Sequence, residues 1–448
     1  MATITNQLAE EVSLWNEQGG RGTFDDIGRS WTDLGTIVAG GTNVYSLCYL
    51  GNGIVLAGTG NIGEIARSTD YGRTWTNLGV IPVGGGPQSV ASLCYLGNGI
   101  VLAGTFNGKY LARSTDYGLT WVDLGPIVPI GVGGGGILSL CYLGNGIALA
   151  GVGGGMDGQI ARSTDYGLTW TDIGINFGIM LPALCYLGNG IALAGSEAND
   201  HIWYSKNNGL TWEDRGGIGS GGYPSKFCYL GNGIVLAGFM NTGKIARSTD
   251  FGLTWMDCNV TWPVFTFHVH ILVYVGSGTV LASCDTMSGP QIARSTDYGL
   301  TWTEIGGIVP GEMTVQSLCY LGGGIVLAGT SPNCKIARST GYTKSPFETG
   351  VKDRSAILCT AGALTLDAGH SVLVASVGAS TNVTLPDALT CVGRKYIIKN
   401  ANMVANLGIL PDAGDTIDGV VSVTLGPGLN YVLEIISDGA NWRTLRQL

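Results

Sequence analysis

The octamer STDYGLTW occurs three times in this chain, at residues 114–121, 163–170 and 295–302. Near copies read STDYGRTW at 68–75, STDFGLTW at 248–255 and SKNNGLTW at 205–212. The closing tryptophans, together with Trp31, are spaced by 44, 46, 49, 42, 43 and 47 residues. A period of roughly 40–50 residues constrains a fold more than any composition does. Each repeat is one small sheet-forming unit that buries its faces only against its neighbours, as in a propeller or an array.

Each period holds four strand-like phrases. In the first unit they are SLCYL (46–50), GIVLAG (53–58), EIARST (64–69) and TWTNLG (74–79). These lengths suit strands, and four strands per repeat suit a propeller blade. SLCYL recurs in recognisable form at 92, 139, 183, 226, 271 and 317, which makes seven units. LGNG separates the first two strands in five units, and a pair such as Asn52-Gly53 favours a two-residue type I′ turn. The octamer is then the corner between strands three and four. Asp70 accepts hydrogen bonds from backbone N–H groups there, Gly72 takes a conformation that a Cβ disfavours, and Trp75 buries its ring between neighbouring units.

The seventh unit lacks its corner: after KIARST (335–340) the chain reads GYTKSPFETG. The missing piece stands at the other end, where DIGRSWTDLG (26–35) keeps Asp26, Gly28, Ser30 and Trp31 in the right spacing. The expectation is that the N-terminal strand closes the seventh blade, removing the exposed edges of a linear array.

Composition enters through what it excludes. A net charge of −9 gives no support for nucleic-acid binding, which calls for a basic patch. No apolar run approaches the roughly 20 residues of a membrane-spanning helix, and the N-terminus has no signal pattern. Of the eleven cysteines, Cys48, Cys94, Cys141, Cys185, Cys228 and Cys319 share the phrase CYL, and Val273 takes that place in the sixth unit. A position that accepts valine is a small apolar packing position, so these thiols are expected to be reduced and buried. Cys258, Cys284, Cys334, Cys359 and Cys391 have no obvious partners.

Strand order sorts the loops onto two sides. The repetitive Asn-Gly turns and octamer corners share one. The other collects connections that differ from unit to unit, such as TGNIG (59–63), SEANDH (196–201) and NVTWPVFTFHVH (259–270). Variable loops on a rigid scaffold suit recognition. Two of them carry the candidate ligand-binding residues: Glu197, Asn199, Asp200, His201 and Trp203 in one, and Trp262, Phe265, Phe267, His268 and His270 in the other. Mixed aromatic and polar side chains suit stacking on a sugar ring or a protein surface; the alternative is packing at a degenerate junction between the fifth and sixth units. His201, His268 and His270 do not have diagnostic ligand spacing, so no metal and no cofactor is expected. Glu197, Asp200, Asp157 and Glu312 lie on candidate loops, which leaves a glycosidase pair open as an alternative.

The pattern S-x-D-x-G-x-T-W resembles the Asp-box repeat of sialidases and other Asp-box propellers, over residues 23–350. The resemblance implies structural roles for Asp26, Asp70, Asp116, Asp165, Asp250 and Asp297 and says little about chemistry. Sialidase chemistry needs arginines converging on a substrate carboxylate. Arg67, Arg113, Arg162, Arg247, Arg294 and Arg338 occur once per unit, with Tyr204 replacing one, and are spread around the ring.

Residues 5–17, TNQLAEEVSLWNE, place Leu8, Val12 and Trp15 near helical spacing, either for docking on a partner or for packing on the propeller. From about 351 the repeat stops. SVLVASV (371–377), NVTLP (382–386), KYIIKN (395–400), VSVTL (421–425) and YVLEIIS (431–437) read as strands. Through TLPDA, GRKYIIKN, DTIDG, VTL and ISDGANW this stretch resembles the small C-terminal β modules of bacteriophage tail fibres, which commonly form trimers at virion extremities.

The expectation is an all-β chain. Residues 1–22 form an N-terminal segment with a possible docking helix, residues 23–350 a seven-bladed propeller, and residues 351–448 a small oligomerising module of β-sandwich or β-prism type. The expected function is that of a non-enzymatic virion tail or fibre protein on the particle's extracellular face. It would bind a host-surface glycan or protein through the variable loops and other virion tail proteins elsewhere, as a homotrimer, with no nucleic acid and no membrane insertion. The alternatives are a glycan-acting hydrolase and a purely structural virion component.

Overall fold

The computed structural model describes residues 27–86, 88–128, 135–153, 158–175, 177–178, 180–197, 200–219, 221–258, 260, 266–286 and 289–340. Of the C-terminal part it describes 355–359, 364–365, 370–375, 381–385, 395–400, 407–411, 416–420, 422–425, 431–437 and 441–447. The described residues are strands, turns and coil; none forms a helix long and apolar enough to cross a membrane. The chain divides into two compact units, Met1–Thr343 and Lys344–Leu448.

Among the described residues, the first unit contains seven sets of four antiparallel strands, called sheets one to seven below. Sheet one consists of Val44–Gly51, Ile54–Thr59, Glu64–Ser68 and Thr76–Val80, innermost first. The inner strands of the next six are Val90–Gly97, Gly136–Gly144, Ala183–Gly188, Tyr223–Gly231, Thr266–Gly276 and Thr314–Tyr320. Each inner strand contacts the next, and that of sheet seven contacts that of sheet one, so the array is a closed ring. Sheets five and six are also joined by one ladder pair, Met240 opposite His268. The outer strand of sheet seven comes from the N-terminal side: Thr32–Thr36 pairs with Lys335–Thr340, with Thr32 opposite Arg338 and Thr36 opposite Lys335.

Local chemistry explains the strand ends. Asn52 and Gly53 both have positive φ, 50° and 74°, as a type I′ turn requires, and Asn98, Asn145, Asn189 and Asn232 repeat the geometry. In the corner of sheet one, Ser68 Oγ donates to Asp70 Oδ1 (2.8 Å) and accepts from the Gly72 N–H (2.9 Å). Asp70 in turn accepts from the Thr74 N–H (2.9 Å) and the Thr74 hydroxyl (2.6 Å). The Trp75 indole N–H closes the corner on the Gly72 carbonyl (3.0 Å). Gly72 has φ +77°, and a Cβ there would overlap Leu327 of sheet seven, so the glycine serves both the turn and the approach of the next sheet. The Tyr71 N–H donates to the Gly53 carbonyl (3.0 Å), which ties the corner to the inner hairpin and places both turns on one side.

The core lies between sheets. Each interface holds a cluster of aliphatic side chains from two neighbouring sheets, with the corner tryptophan packed at its margin; Leu56, Val90, Val101, Ala103 and Trp121 at the first-to-second interface are one example. The phrase I-V-L-A-G is buried almost throughout because both faces of the second strand are covered.

The C-terminal unit has two sheets between which its first six described strands alternate. Ser355–Cys359, His370–Ala375, Lys395–Asn400, Tyr431–Ser437 and Trp442–Gln447 form one, and Leu364–Thr365, Thr381–Thr384, Leu407–Leu410 and Val423–Leu425 the other. The first three strands of each sheet pair in parallel, and the later ones antiparallel. The first six strands pass back and forth between the two sheets, and the last strands of each sheet are consecutive antiparallel neighbours. The turn at 416–419 and the segment at 441 meet, because Thr416 donates through its N–H and hydroxyl to Asn441 Oδ1 (2.8 and 2.7 Å).

Candidate functional site

The corner side is chemically occupied. The recurring arginines each donate Nε to a corner carbonyl of the next sheet: Arg67 to Tyr117 (3.1 Å), Arg113 to Tyr166 (2.9 Å), Arg162 to Asn208 (2.9 Å), Arg247 to Tyr298 (2.8 Å), Arg294 to Ile27 (3.0 Å) and Arg338 to Tyr71 (3.2 Å). They are distributed round the ring as inter-sheet links and do not converge. A second set of links lies near the inner strands. Ser46 donates to the Val90 carbonyl, Ser92 to Ile137, Ser139 to Leu181, Ser225 to Val269, Ser283 to Val315 and Ser317 to Val44.

Both sets skip one junction, from sheet four to sheet five. Sheet four has Ala183 at the serine position and Tyr204 at the arginine position. The candidate residues gather here. Glu197 lies in the loop between strands two and three of sheet four, and its N–H donates to the Met180 carbonyl (3.0 Å). Tyr223, at the start of sheet five, lies within electrostatic reach of the Glu197 carboxylate. Burial first, and then the Glu197 charge, push Tyr223 up to about 12, so the phenol remains a donor. Asp200 Oδ2 accepts from the Gly219 N–H (2.8 Å). His201, at the head of strand His201–Ser205, lies 2.9 Å through Nδ1 from Asp214 Oδ2 on the outer strand Glu213–Gly217. Lys226 on the inner strand of sheet five reaches the Pro182 carbonyl (3.4 Å), and burial lowers its ammonium.

Trp203 occupies the place of the repeat's buried alanine, since I-A-R-S becomes I-W-Y-S. Its ring meets Phe177 edge-on at 4.8 Å, and Phe177 meets Trp212 at 6.0 Å. Its indole N–H is buried with no hydrogen-bond partner. Trp203 is therefore mainly a packing residue that fills the junction. Tyr204 carries Lys206 and Arg215 over its ring at 5.7 and 5.8 Å.

The other candidates have different fates. His268 Nδ1 accepts from the Asn241 N–H (3.1 Å), and the His268 and His270 rings lie 5.8 Å apart at the seam between sheets five and six. Asn199, Trp262, Phe265 and the corner Asp26 lie outside the described residues, as do Asp157 and the side chain of Phe267. Glu312 is buried and accepts from the Thr330 hydroxyl (2.9 Å) and from Asn333 Nδ2 (2.7 Å), with Lys335 at 3.7 Å, so its carboxylate holds a loop. Among the described residues no three His, Cys, Asp or Glu side chains are grouped as metal ligands. Sequence reasoning missed Asp214, Tyr223 and Lys226. The recurrence of aspartate in the outer strands (Asp33, Asp123, Asp172, Asp214, Asp257) was the available signal for the first; the others carried none.

No family model matches the chain, and no curated protein matches its sequence. Solved structures do match its fold. YCF48 bound to D1 peptide superposes with a TM-score of 0.53 at 17% identity, over 69% of this chain and 94% of that one. Virginiamycin B lyase from Staphylococcus aureus, in a catalytically inactive form with quinupristin, gives 0.55 at 16%, over 69% and 98%. The GH74 xyloglucanase from Xanthomonas campestris gives 0.55 at 14%, over 71% of this chain and 54% of the enzyme, so this chain spans about half its length. The WD40 β-propeller domain of Doa1 gives 0.53 at 12%, over 71% and 99%. At such identities the likeness is one of fold: the repeat unit of this chain is a β-propeller, a scaffold shared by enzymes and non-enzymes.

Proposed function

We propose that the chain is a virion tail or fibre protein whose seven-bladed Asp-box propeller binds a host-surface saccharide through its variable-loop side, around sheets four and five. One observation carries this reading. Among the described residues, the junction that lacks both repeated links is one where polar side chains from separate strands collect on the variable side. Elsewhere the repeat keeps its polar groups for itself. At this junction the Glu197 carboxylate, the Tyr223 hydroxyl and the His201–Asp214 pair give alternating acceptors and donors, the pattern that hydroxyl-rich ligands match. The C-terminal unit makes a homotrimer in this reading and attaches the propeller to other tail proteins. Three modest sites then act together at high effective concentration. Binding proceeds without chemistry in this reading; Asp200 serves a backbone amide and Glu312 its own loop.

The test uses the labelled full chain on an array of bacterial lipopolysaccharide and capsular oligosaccharides, with light scattering for assembly. Selective binding is expected, with a trimer's mass in solution. Glu197→Gln and His201→Ala should each weaken binding by about tenfold, the cost of one or two hydrogen bonds to charged groups. Leu119→Ser, on the corner side, should not. Selective glycan binding that survives both site variants would move recognition elsewhere, and a monomeric full chain would remove the trimer.

A further inference from the structure

Tyr45 stands out of its own strand ladder. The first two strands of sheet one pair Val44 with Thr59 and Ser46 with Gly58, so Tyr45 is the extra residue of a β-bulge. A bulge re-aims the side chain it carries. The same bulge recurs in sheets two, three, five, six and seven, where the extra residue is Ala91, Leu138, Ser225, His270 and Gln316. The fold thus offers this position at the variable-side end of each of these inner strands, and sheet one fills it with an aromatic ring. Asn43 Nδ2 donates to the Tyr45 hydroxyl (2.7 Å) and fixes it. Gly60 makes room, because a Cβ there would meet the Tyr45 ring at 2.8 Å. Phe106, in the loop between strands two and three of sheet two, lies nearly parallel to Tyr45, with ring centroids 6.5 Å apart and planes 16° apart.

Phe106 is 45% exposed, whereas the other exposed aromatic rings among the described residues, Tyr117, Tyr166 and Tyr298, belong to corners. Neither Phe106 nor Tyr45 joins the clusters that fill the neighbouring inter-sheet interfaces. The loop amides around the rings are taken: the Phe106 N–H donates to the Ser89 carbonyl (2.9 Å), the Gly60 N–H to the Asn43 carbonyl (2.8 Å) and the Asn61 N–H to Ser89 Oγ (3.0 Å). Side-chain groups remain to be used. The Tyr45 and Ser89 hydroxyls keep their own hydrogens to donate, and Asn43 keeps Oδ1 to accept. Segments 41–45, 59–63, 88–89 and 105–108, which surround the rings, carry no charged side chain. An exposed ring rimmed by neutral donors and acceptors matches a neutral pyranose, with its apolar C–H face and hydroxylated edge. An extended peptide calls for unpaired backbone groups and an acidic sugar for a cation, and these described segments offer neither. We propose that Phe106 and Tyr45 form a second saccharide subsite, which takes one neutral pyranose on the variable side of sheets one and two. The subsite rests on the reading of that side as a saccharide surface but shares no residue with the junction of sheets four and five.

Ligand-observed saturation-transfer NMR tests the subsite, with the methyl β-pyranosides of glucose, galactose, mannose and N-acetylglucosamine as probes. The full chain carries Glu197→Gln and His201→Ala throughout, so that the other site does not contribute. At least one probe should receive saturation, most strongly at its ring C–H protons. Adding Phe106→Ala should cut that transfer by about tenfold, the worth of one aromatic contact, and Phe106→Trp should keep it. Adding Tyr45→Phe should lower it by about threefold through the lost hydroxyl. Transfer indifferent to Phe106→Ala would overturn the subsite. Transfer seen only in the chain that keeps Glu197 and His201 would also overturn it, while supporting the junction of sheets four and five as the saccharide site. Stronger transfer to acetyl-tyrosine amide than to any pyranoside would make a peptide the occupant, and likewise overturn the proposal.

Discussion

One carboxylate does most of the work at each corner, and the chain contains its own control. Asp116 accepts from the Ser114 hydroxyl, the Thr120 N–H and the Thr120 hydroxyl. Burial alone would raise this carboxyl; the Thr120, Ser114 and Leu119 donors together outweigh it and hold it below its usual range. Asp70, Asp165, Asp250 and Asp297 show the same balance. A depressed folded pKa means stabilisation that is complete above the unfolded value of about 3.9 and is lost as pH falls below it. In sheet four the corner residue is Asn207, which keeps the geometry: its Oδ1 accepts from the Thr211 N–H and its Nδ2 donates to the Thr211 hydroxyl. Asp116→Asn is therefore expected to fold normally and to make the fall in melting temperature between pH 5 and pH 2.5 shallower. An unchanged acid limb would mean that this corner does not contribute to acid sensitivity. The CYL thiols make a second residue-scale case. Cys228 is buried and the other five are half-buried, and all six are free. Burial pushes Cys141, Cys228 and Cys319 up to about 12. Alkylation of the native protein at pH 8 should leave these six unmodified, and unfolding without reductant should expose six thiols to the reagent. Disulfide-linked peptides containing Cys48 or Cys141 would contradict this.

The serine link from one sheet to the next depends on which residues face each other on the first two strands. Gly58 faces Ser46, and a Cβ on Gly58 would overlap the Ser46 hydroxyl and Val90. In sheet six the inner residue is Ile271, the glycine position becomes Ser283, and the hydroxyl that reaches the next sheet comes from that strand instead. Sheet four has neither hydroxyl: Ala183 stands opposite Gly195, close to the Pro224 carbonyl. Ala183→Ser should restore the link to Pro224 and stabilise the protein by about 1 kcal/mol in urea unfolding, while Ser92→Ala should cost about the same. A serine that leaves stability unchanged or lowers it would show that the junction is already satisfied by other contacts. If the link stiffens the junction, saccharide binding should weaken in the same variant.

For the whole molecule, closure is the decisive property. A closed ring leaves no incomplete terminal sheet, only the short outer edge of each one, and its last sheet is completed by residues some 300 positions away in sequence. The pairing is reinforced by the Gly28 N–H on Ser339 Oγ (3.0 Å), Lys335 on Asp33 (3.2 Å) and Arg294 on the Ile27 carbonyl. Removing residues 1–36 should expose the Lys335–Thr340 edge and lead to aggregation, or to a melting temperature several degrees lower. A monomer with unchanged melting behaviour would show that the N-terminal strand is dispensable.

By itself the sequence determined the repeat, its four strands, the two kinds of turn and the place where the broken repeat is mended. These features are local and periodic: Asn-Gly pairs, a corner aspartate and a tryptophan declare themselves within eight residues, and seven copies average out the noise of any one. The replacement of I-A-R-S by I-W-Y-S was equally legible. Tertiary structure alone decided which groups meet. Tyr223 comes within electrostatic reach of Glu197 across two sheets, and His201 finds Asp214 across a register that no spacing reveals. It also decided that the first three strands of each C-terminal sheet pair in parallel with alternate neighbours, because an alternating apolar strand reads the same in either direction. Side-chain character is written residue by residue, whereas partners, strand direction and the junction without the repeated links come into being only when the ring closes.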